Sequence, residues 1–497
     1  MKKEEKRISR KLFVKQFSVG MGALGTTIMF PEVLSASNFI NGPASNPKKV
    51  LVLGAGLAGL AAAWDLREAG HEVMVLEARN RPGGRVSTIR EPFANGLHAE
   101  EGAAAYSNTY THALKFIDEF GLEKVPLSFP DSAITYHLNG KKINAKPGET
   151  VNWPYDLTAE EQKLGPMGIV QKYILQTLPK EIGQPEKWDK APLVHLDQIS
   201  LEEYLRKNGA SEGAIKLIKN TQWFAAMPGE TSGLSMAVSD AGLFMGAAPF
   251  ILKNGNDALP REMAKRMSEN ISYETVVKKV SDNGNGVVVS AIQNGALKDF
   301  NADKVIVTFP LKVLGTVEFQ PSLPAGKKKA IQDVPVINLT RTYLQVDKPF
   351  WMKDKVSGMA FTDLPVGDIT PLVNSNGIEN NPAILESMVA GPSAPKLEKA
   401  APEKTIAKMK TEMKKLYPGI EDHFMKGHVK GWSQDPYSLG GPSWYAPGDV
   451  TAHLKNLQAP YGNVHFGGEH TIILRSTMEG ALRSGARAAR EVHETVS

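Results

Sequence analysis

Cysteine is absent from all 497 residues. That excludes disulfides, thiolate nucleophiles, iron–sulfur clusters and cysteine-ligated zinc, and with them a thioether bond to any cofactor. An excess of one charge is also missing from the body of the chain. The formal net charge is +5, but the first 37 residues carry seven Lys or Arg and three Glu, which leaves the rest near neutrality. A nucleic-acid footprint needs a basic face on the folded body, and the bulk charge offers none. The 11 His show no HExxH or similar ligand spacing, so no metal is expected. Repeats and low-complexity tracts are lacking too. The remaining composition, 42% hydrophobic and 22% charged, is that of an ordinary globular protein. Its length predicts two to four domains, or two large interleaved ones.

The N-terminus has the order of an export signal. Basic residues run to Lys15, Gln16–Pro31 is uncharged, and small residues follow at Ser35-Ala36-Ser37. The uncharged stretch is too short and too rich in glycine to span a bilayer, so no stable membrane span is expected after processing. Ser9-Arg10-Lys11-Leu12-Phe13-Val14-Lys15 follows the twin-arginine pattern, with Lys11 in place of the second arginine. The expectation is an exported protein, periplasmic or secreted, with its signal at 1–37 and a linker at 38–47. A basic tail with an amphipathic start is the other reading.

Beyond the linker, the apolar run Val50–Leu53 leads into Gly54-Ala55-Gly56-Leu57-Ala58-Gly59 and an Ala-rich segment, Leu60–Leu66. This is a buried strand, a glycine turn and a helix. Gly54 makes the turn, Gly56 lets backbone approach a pyrophosphate, and Gly59 permits close helix–strand packing. The helix N-terminus offers free N–H groups and a positive dipole end to phosphates. A second strand, His71–Leu76, ends at Glu77, 18 residues after Gly59, where an acid accepts hydrogen bonds from a ribose diol. Glu77 would repel a 2′-phosphate, which leaves NAD or FAD. The following Ala78-Arg79-Asn80-Arg81-Pro82-Gly83-Gly84-Arg85 adds a second glycine pair and a cation, and these favour the flavin dinucleotide.

With these residues in view, the chain resembles the flavin-containing amine oxidase superfamily, which includes monoamine, polyamine and L-amino-acid oxidases. The resemblance runs over about 48–497. At the C-terminal end it rests on Gly467-Gly468-Glu469-His470, Met478-Glu479-Gly480-Ala481 and Ser484-Gly485. In the middle it rests on the turn Asn254–Pro260, and later on Trp432 with Pro436, Tyr437, Gly440 and Gly441. It implies an α/β fold: a Rossmann-like FAD-binding domain at 48–110, 250–330 and 432–497, interleaved with an α+β substrate domain at 111–249 and 331–431. In those two stretches helices are expected at Thr111–Phe120, Leu201–Asn208, Ala214–Phe224 and Pro402–Tyr417, and strands at Leu339–Val346 and Ala383–Val389. It implies cofactor contacts at Gly54, Gly56, Ala58, Gly59, Glu77, Ala78, Gly84, Arg85, Val277, Trp432, Gly468, Glu469 and Met478. A helix starting at Met478 would point its N-terminus at the flavin ring, where its dipole stabilises negative charge.

The departures bear on the substrate. Counted back from Pro349-Phe350-Trp351, the family's water-holding lysine falls on Arg341. The two tyrosines of the monoamine oxidases fall on Ser443 and Thr477, so an aromatic frame is absent or rebuilt by Trp444 or Tyr445. Pro442 stands where some relatives carry a flavin-linked cysteine, so FAD is expected to be non-covalent, a histidyl link through His98 or His470 being the other route. Ala105 takes the place of a carboxylate-gripping arginine, for which Arg475 is a substitute. Arg341, Arg475, Thr477 and Trp444 are therefore the candidate catalytic residues. The implied reaction oxidises a small-molecule amine or L-amino acid to an imine, which hydrolyses to a carbonyl compound, while O2 becomes H2O2. A dehydrogenase passing electrons to a protein or quinone stays open, as does a FAD-bound protein without catalysis. Members of the family often form homodimers.

Overall fold

The computed structural model describes residues 40, 42–127, 132–221, 228–241, 248–373 and 381–495. The expected export segment, and the end of a helix expected at Ala214–Phe224, lie outside these residues. Lys49–Leu53 is buried after its first residue, as an apolar run flanked by parallel strands must be. It pairs in parallel with Glu72–Leu76 on one side and Lys304–Val307 on the other. Ile271–Ser272 and Val464–Phe466 complete a five-stranded parallel sheet. Strand order reverses at Lys49–Leu53, and crevices at such a reversal, beyond the strands' carboxyl ends, are where α/β sheets take their ligands.

Two helices close together beside this sheet. Leu57–Glu68 is buried from Leu57 to Leu66. The C-terminal helix, Met478–Glu494, buries Met478, Leu482, Ala489 and Val492 at helical spacing. Small residues let the two backbones approach: a side chain at Gly485 would come within 2.0 Å of the Ala58 carbonyl. A separate four-stranded sheet is made by Ala296–Ala302, Val287–Gln293, Thr275–Asp282 and Glu318–Gln320.

Both inserted stretches contribute to one seven-stranded sheet. Ala133–Leu138 and Lys141–Ala145 come from the first, and Leu339–Val346, Val356–Thr362, Asp368–Val373, Ala383–Ala390 and Phe424–Gly431 from the second. Leu344, Leu385, Ile369 and Val346 pack on one face beneath Met409 and Met413 of helix Pro402–Met413. The other face carries Arg341, Tyr343 and Glu386.

Element ends differ from sequence expectation where caps decide them. The expected helix Leu201–Asn208 ends at Lys207 and starts behind a Ser200/Glu203 capping box. The expected helix at Ala214 begins at Glu212, capped by the Ser211 hydroxyl. Two short helical segments within Ala159–Val170 were not anticipated: Gly165, with non-helical backbone, and Pro166 divide them, yet Thr158 and Glu161 form a capping box at the start of the first. No helix among the described residues is long and apolar enough to cross a membrane.

Candidate active site

The glycine turn has the geometry its sequence predicts. Gly54 has φ +107°, outside the range comfortable for other residues, and its N–H donates to the Leu76 carbonyl at 2.8 Å. A side chain at Gly59 would lie 1.9 Å from the Gly54 carbonyl oxygen, so the helix can start this close only as glycine. Gly56 caps the helix, and a side chain there would meet nothing within 4 Å. Its bare face therefore opens onto free space. Gly83 and Gly84, at φ +97° and +56°, run alongside: the Gly83 N–H donates to the Ala55 carbonyl at 2.8 Å, and Gly84 is 3.6 Å from Gly56 as measured from its missing Cβ. The two glycine pairs make a backbone cradle at a helix N-terminus.

Glu77 closes one side of this cradle. Its carboxylate accepts from the Ala55 N–H at 2.7 Å and the Arg79 N–H at 2.8 Å. Burial raises its pKa against the pull of these donors. Ala78 follows, half-buried, and the Glu77 carbonyl accepts from the Thr275 N–H at 2.9 Å. That bond brings Val277, two residues on and next to a bulge in its strand, to the same end of the site.

The C-terminal segment meets the second glycine pair through Arg85. Its Nη1 donates to the Gly441 carbonyl at 2.6 Å, and Nη1 and Nη2 reach Glu469 Oε1 at 3.2 and 3.1 Å. Glu469 also accepts from the Ser443 hydroxyl at 2.9 Å and the Ser476 N–H at 3.0 Å. Burial works to raise its pKa, but Arg85, His470 and these donors outweigh it and hold the carboxyl below its ordinary value. Gly468, at φ +119°, donates its N–H to the Ser484 hydroxyl at 2.8 Å. Trp432 Nε1 donates to the Glu101 carbonyl at 2.7 Å. Ala58 is buried against the C-terminal helix, and Met478 is that helix's buried first residue.

The four candidate catalytic residues fare differently. Arg341 is buried, and its Nη1 donates to Glu386 at 2.7 Å and to the Glu100 carbonyl at 3.1 Å. Arg475 is buried too. Its Nε donates to the Ser235 hydroxyl at 2.5 Å, and its Nη1 to the Ser443 carbonyl and the Ser476 hydroxyl. Both arginines are thus engaged by protein acceptors rather than presented as open cations. Thr477 caps the C-terminal helix, its hydroxyl accepting from the Gly480 N–H at 2.9 Å and donating to the Leu474 carbonyl. Trp444 is half-buried and anchored by its backbone to Pro335.

Comparison with known proteins gives this geometry a family. The family model of flavin containing amine oxidoreductases matches residues 57–493. This chain belongs to that family. YobN of Bacillus subtilis (strain 168), provisionally named an L-amino-acid oxidase, is 30% identical over 467 residues, covering 90% of this chain and 95% of YobN. The L-amino-acid oxidase of Demansia vestigiata is 30% identical over 464 residues, 90% of this chain and 87% of that protein. Among solved structures, the cyclohexylamine oxidase from Brevibacterium oxydans IH-35A superposes with a TM-score of 0.75 at 22% identity, over 90% of this chain and 99% of that one. A putrescine oxidase bound to putrescine matches to the same extent. At that identity these two structures speak for the fold.

The chain is accordingly a flavin-dependent oxidoreductase acting on amines or amino acids. The residues present fit a flavin dinucleotide: the cradle is one that a side chain at Gly56 would fill, and Glu77 stands at the strand end beside it. Sequence reading gave no role to three residues of this amine oxidoreductase. Buried Glu479, in the first turn of the C-terminal helix, accepts from the N–H groups of His112 at 3.0 Å and Ala113 at 3.1 Å, and from Arg483 Nε at 2.7 Å. It so caps helix Thr111–Glu119 from a distant element. Buried Asn256 accepts from the Leu252 N–H and donates to the Ala103 and Ala104 carbonyls. Glu386 pairs with Arg341. Glu479 and Asn256 lie inside motifs that the sequence marks; Glu386 carries no local signal. No metal-binding cluster occurs among the described residues.

Proposed function

We propose that this chain oxidises L-amino acids, holds FAD without a covalent bond, passes electrons to O2, and works outside the cytoplasm. The observation that carries the substrate class is the likeness, along nine-tenths of the chain, to proteins named L-amino-acid oxidases. Bound FAD supplies a two-electron acceptor for the C–H bond next to the substrate nitrogen. The chain's own residues hold and shield. Gly54, Gly56, Gly59 and Gly84 admit the pyrophosphate, and the N-terminus of Leu57–Glu68 faces it. Glu77 takes the ribose hydroxyls, with Ala78 and Val277 beside the base. Arg85, Glu469 and Gly468 order the C-terminal wall, and Trp432 braces the opposite one. Trp444 and Thr477 border the substrate, and Trp444 helps exclude water. The amine reacts neutral, and the released imine is hydrolysed in solution.

Arg341 or Arg475 answers the substrate carboxylate in this reading, because a buried carboxylate without a partner is strongly disfavoured. The second reading is a simple amine substrate. It is favoured by the engagement of both arginines with protein acceptors. The zero cysteine count and Pro442 support a dissociable flavin, and the N-terminal segment supports export. The deciding experiment is steady-state peroxide release in air from L-amino acids and from their decarboxylated amines. Peroxide from amino acids supports the proposal. Peroxide only from amines replaces it with the second reading. Turnover that needs an added dye and yields no peroxide points to a dehydrogenase.

A further inference from the structure

One face of the seven-stranded sheet carries a charge pair that no motif marks. Strands Leu339–Val346 and Ala383–Ala390 run antiparallel, with Arg341 opposite Met388 and Tyr343 opposite Glu386. Side chains alternate along a strand, so all four share a face. The opposite face is the one closed by Leu344, Leu385 and the helix above them. On the shared face Arg341 Nη1 and the Tyr343 hydroxyl both donate to the Glu100 carbonyl, at 3.1 and 2.7 Å. The next residues, Gly102–Ala105, lead into the site: Gly102 packs against the Arg85 carbonyl and Trp432, and Ala104 is exposed. Met388, two residues along the strand from Glu386, and Thr370, opposite it on the next strand, are only half-buried. The pair therefore lies on a face that its neighbours do not fully close, beside the segment that packs on Arg85 and Trp432.

The pairing itself is incomplete. Glu386 is 8% exposed and meets Arg341 through Oε1 alone. Arg341 is 6% exposed, and its Nε is buried with no partner. A buried charged donor left unmade is costly and calls for an explanation, of which a partner brought by a ligand is one. Lys430, opposite Arg341 on the next strand, is held by Asp435 at 3.0 Å and does not compensate.

We propose that Glu386 is a specificity-determining residue: it sets the charge of the substrate floor by neutralising Arg341, and so decides how strongly this site prefers a carboxylate-bearing ligand over an ammonium-bearing one. With Glu386 ionised, the charge of Arg341 is offset and a ligand carboxylate meets a guanidinium already shared. Without that charge, Arg341 becomes a full cation toward the ligand. At the few-ångström spacing of adjacent strands, one buried charge is worth at least about tenfold in ligand affinity.

The inference rests on the reading of this chain as an oxidase of amines or amino acids, but its test needs no turnover. Benzoate and benzylamine are titrated into the yellow holoenzyme, and binding is followed by the flavin difference spectrum. Glu386→Gln should shift the ratio of the two dissociation constants toward benzoate by about tenfold or more, and Glu386→Asp, which keeps the charge, should restore most of the original ratio. The double variant R341M/E386M exchanges the pair for apolar volume, a replacement that buried pairs often tolerate, and should lose the gain. A ratio within about twofold of wild type in Glu386→Gln, an equal shift in Glu386→Asp, or no ligand-induced spectral change in any variant overturns the inference. Ligand binding that shifts as expected in an enzyme without peroxide-forming turnover leaves it standing and removes the oxidase reading instead.

Discussion

Replacing Glu479 with Gln tests the argument that one carboxylate joins two helices. The wild-type side chain is fully buried and accepts from the first-turn N–H groups of His112 and Ala113, the Thr111 hydroxyl and Arg483 Nε. Burial alone would raise its pKa. His112, Arg483 and the helix N–H groups outweigh that and bring it from an ordinary 4.5 to about 2. At about 1.4 kcal/mol per unit, ionised Glu479 contributes roughly 3 kcal/mol to the folded state at neutral pH. The sign follows from linkage. A carboxyl whose folded pKa is depressed contributes stability that is complete above 4.5 and is lost as pH falls toward 2. Gln keeps the shape but not the charge, and it leaves Arg483 without its counter-ion. The variant should therefore melt roughly 5 °C lower by circular dichroism at pH 7. The gap should hold from pH 8 to 5 and narrow as pH drops below 4.5. An unchanged melting temperature at pH 7, or a gap that persists undiminished at pH 2.5, would refute the reasoning.

Two glycines of one turn should respond in opposite ways. Gly56→Val, whose side chain meets nothing within 4 Å, should fold with near-normal melting yet purify colourless, whereas wild type is yellow and releases its flavin on acid precipitation. Gly59→Val, whose Cβ would lie 1.9 Å from the Gly54 carbonyl, should not accumulate as folded protein. Deleting residues 1–37 should retain active, folded enzyme in the cytoplasm, checked by fractionation; unchanged recovery outside it would refute the export reading.

The parts of the site legible in the sequence are those written in consecutive residues. Gly54, Gly56 and Gly59 announce their roles because a turn between strand and helix is local, and Glu77 follows at a spacing set by one helix and one strand. Strand Leu339–Val346 is observed with the bounds its β-branched and aromatic residues predict. What stayed hidden depends on pairing across the chain. Arg341 could be singled out by its place before Pro349-Phe350-Trp351, but its charge state toward a ligand is set by Glu386, 45 residues later, through strand register alone. Arg475 likewise looked open because Ser235, its acceptor 240 residues earlier, lies on an unrelated helical turn.

The same logic explains why the cofactor and substrate halves of the site differ in how firmly residues prescribe them. On the proposed cofactor side, backbone would do the work: glycines make room, helix ends supply donors, and few side chains are called on beyond Glu77, Arg85 and Glu469. Those requirements leave a mark at each position, since any Cβ at Gly59 or Gly485 collides with backbone. On the proposed substrate side the face is built from side chains of one sheet whose strands come from 133–145 and 339–431. There, Arg341 is held by the Glu386 carboxylate as well as by the Glu100 carbonyl. Exchange of a single charge can then alter ligand choice without disturbing the fold, because the opposite face of that sheet, packed by Leu344, Leu385, Met409 and Met413, holds the strands in register independently.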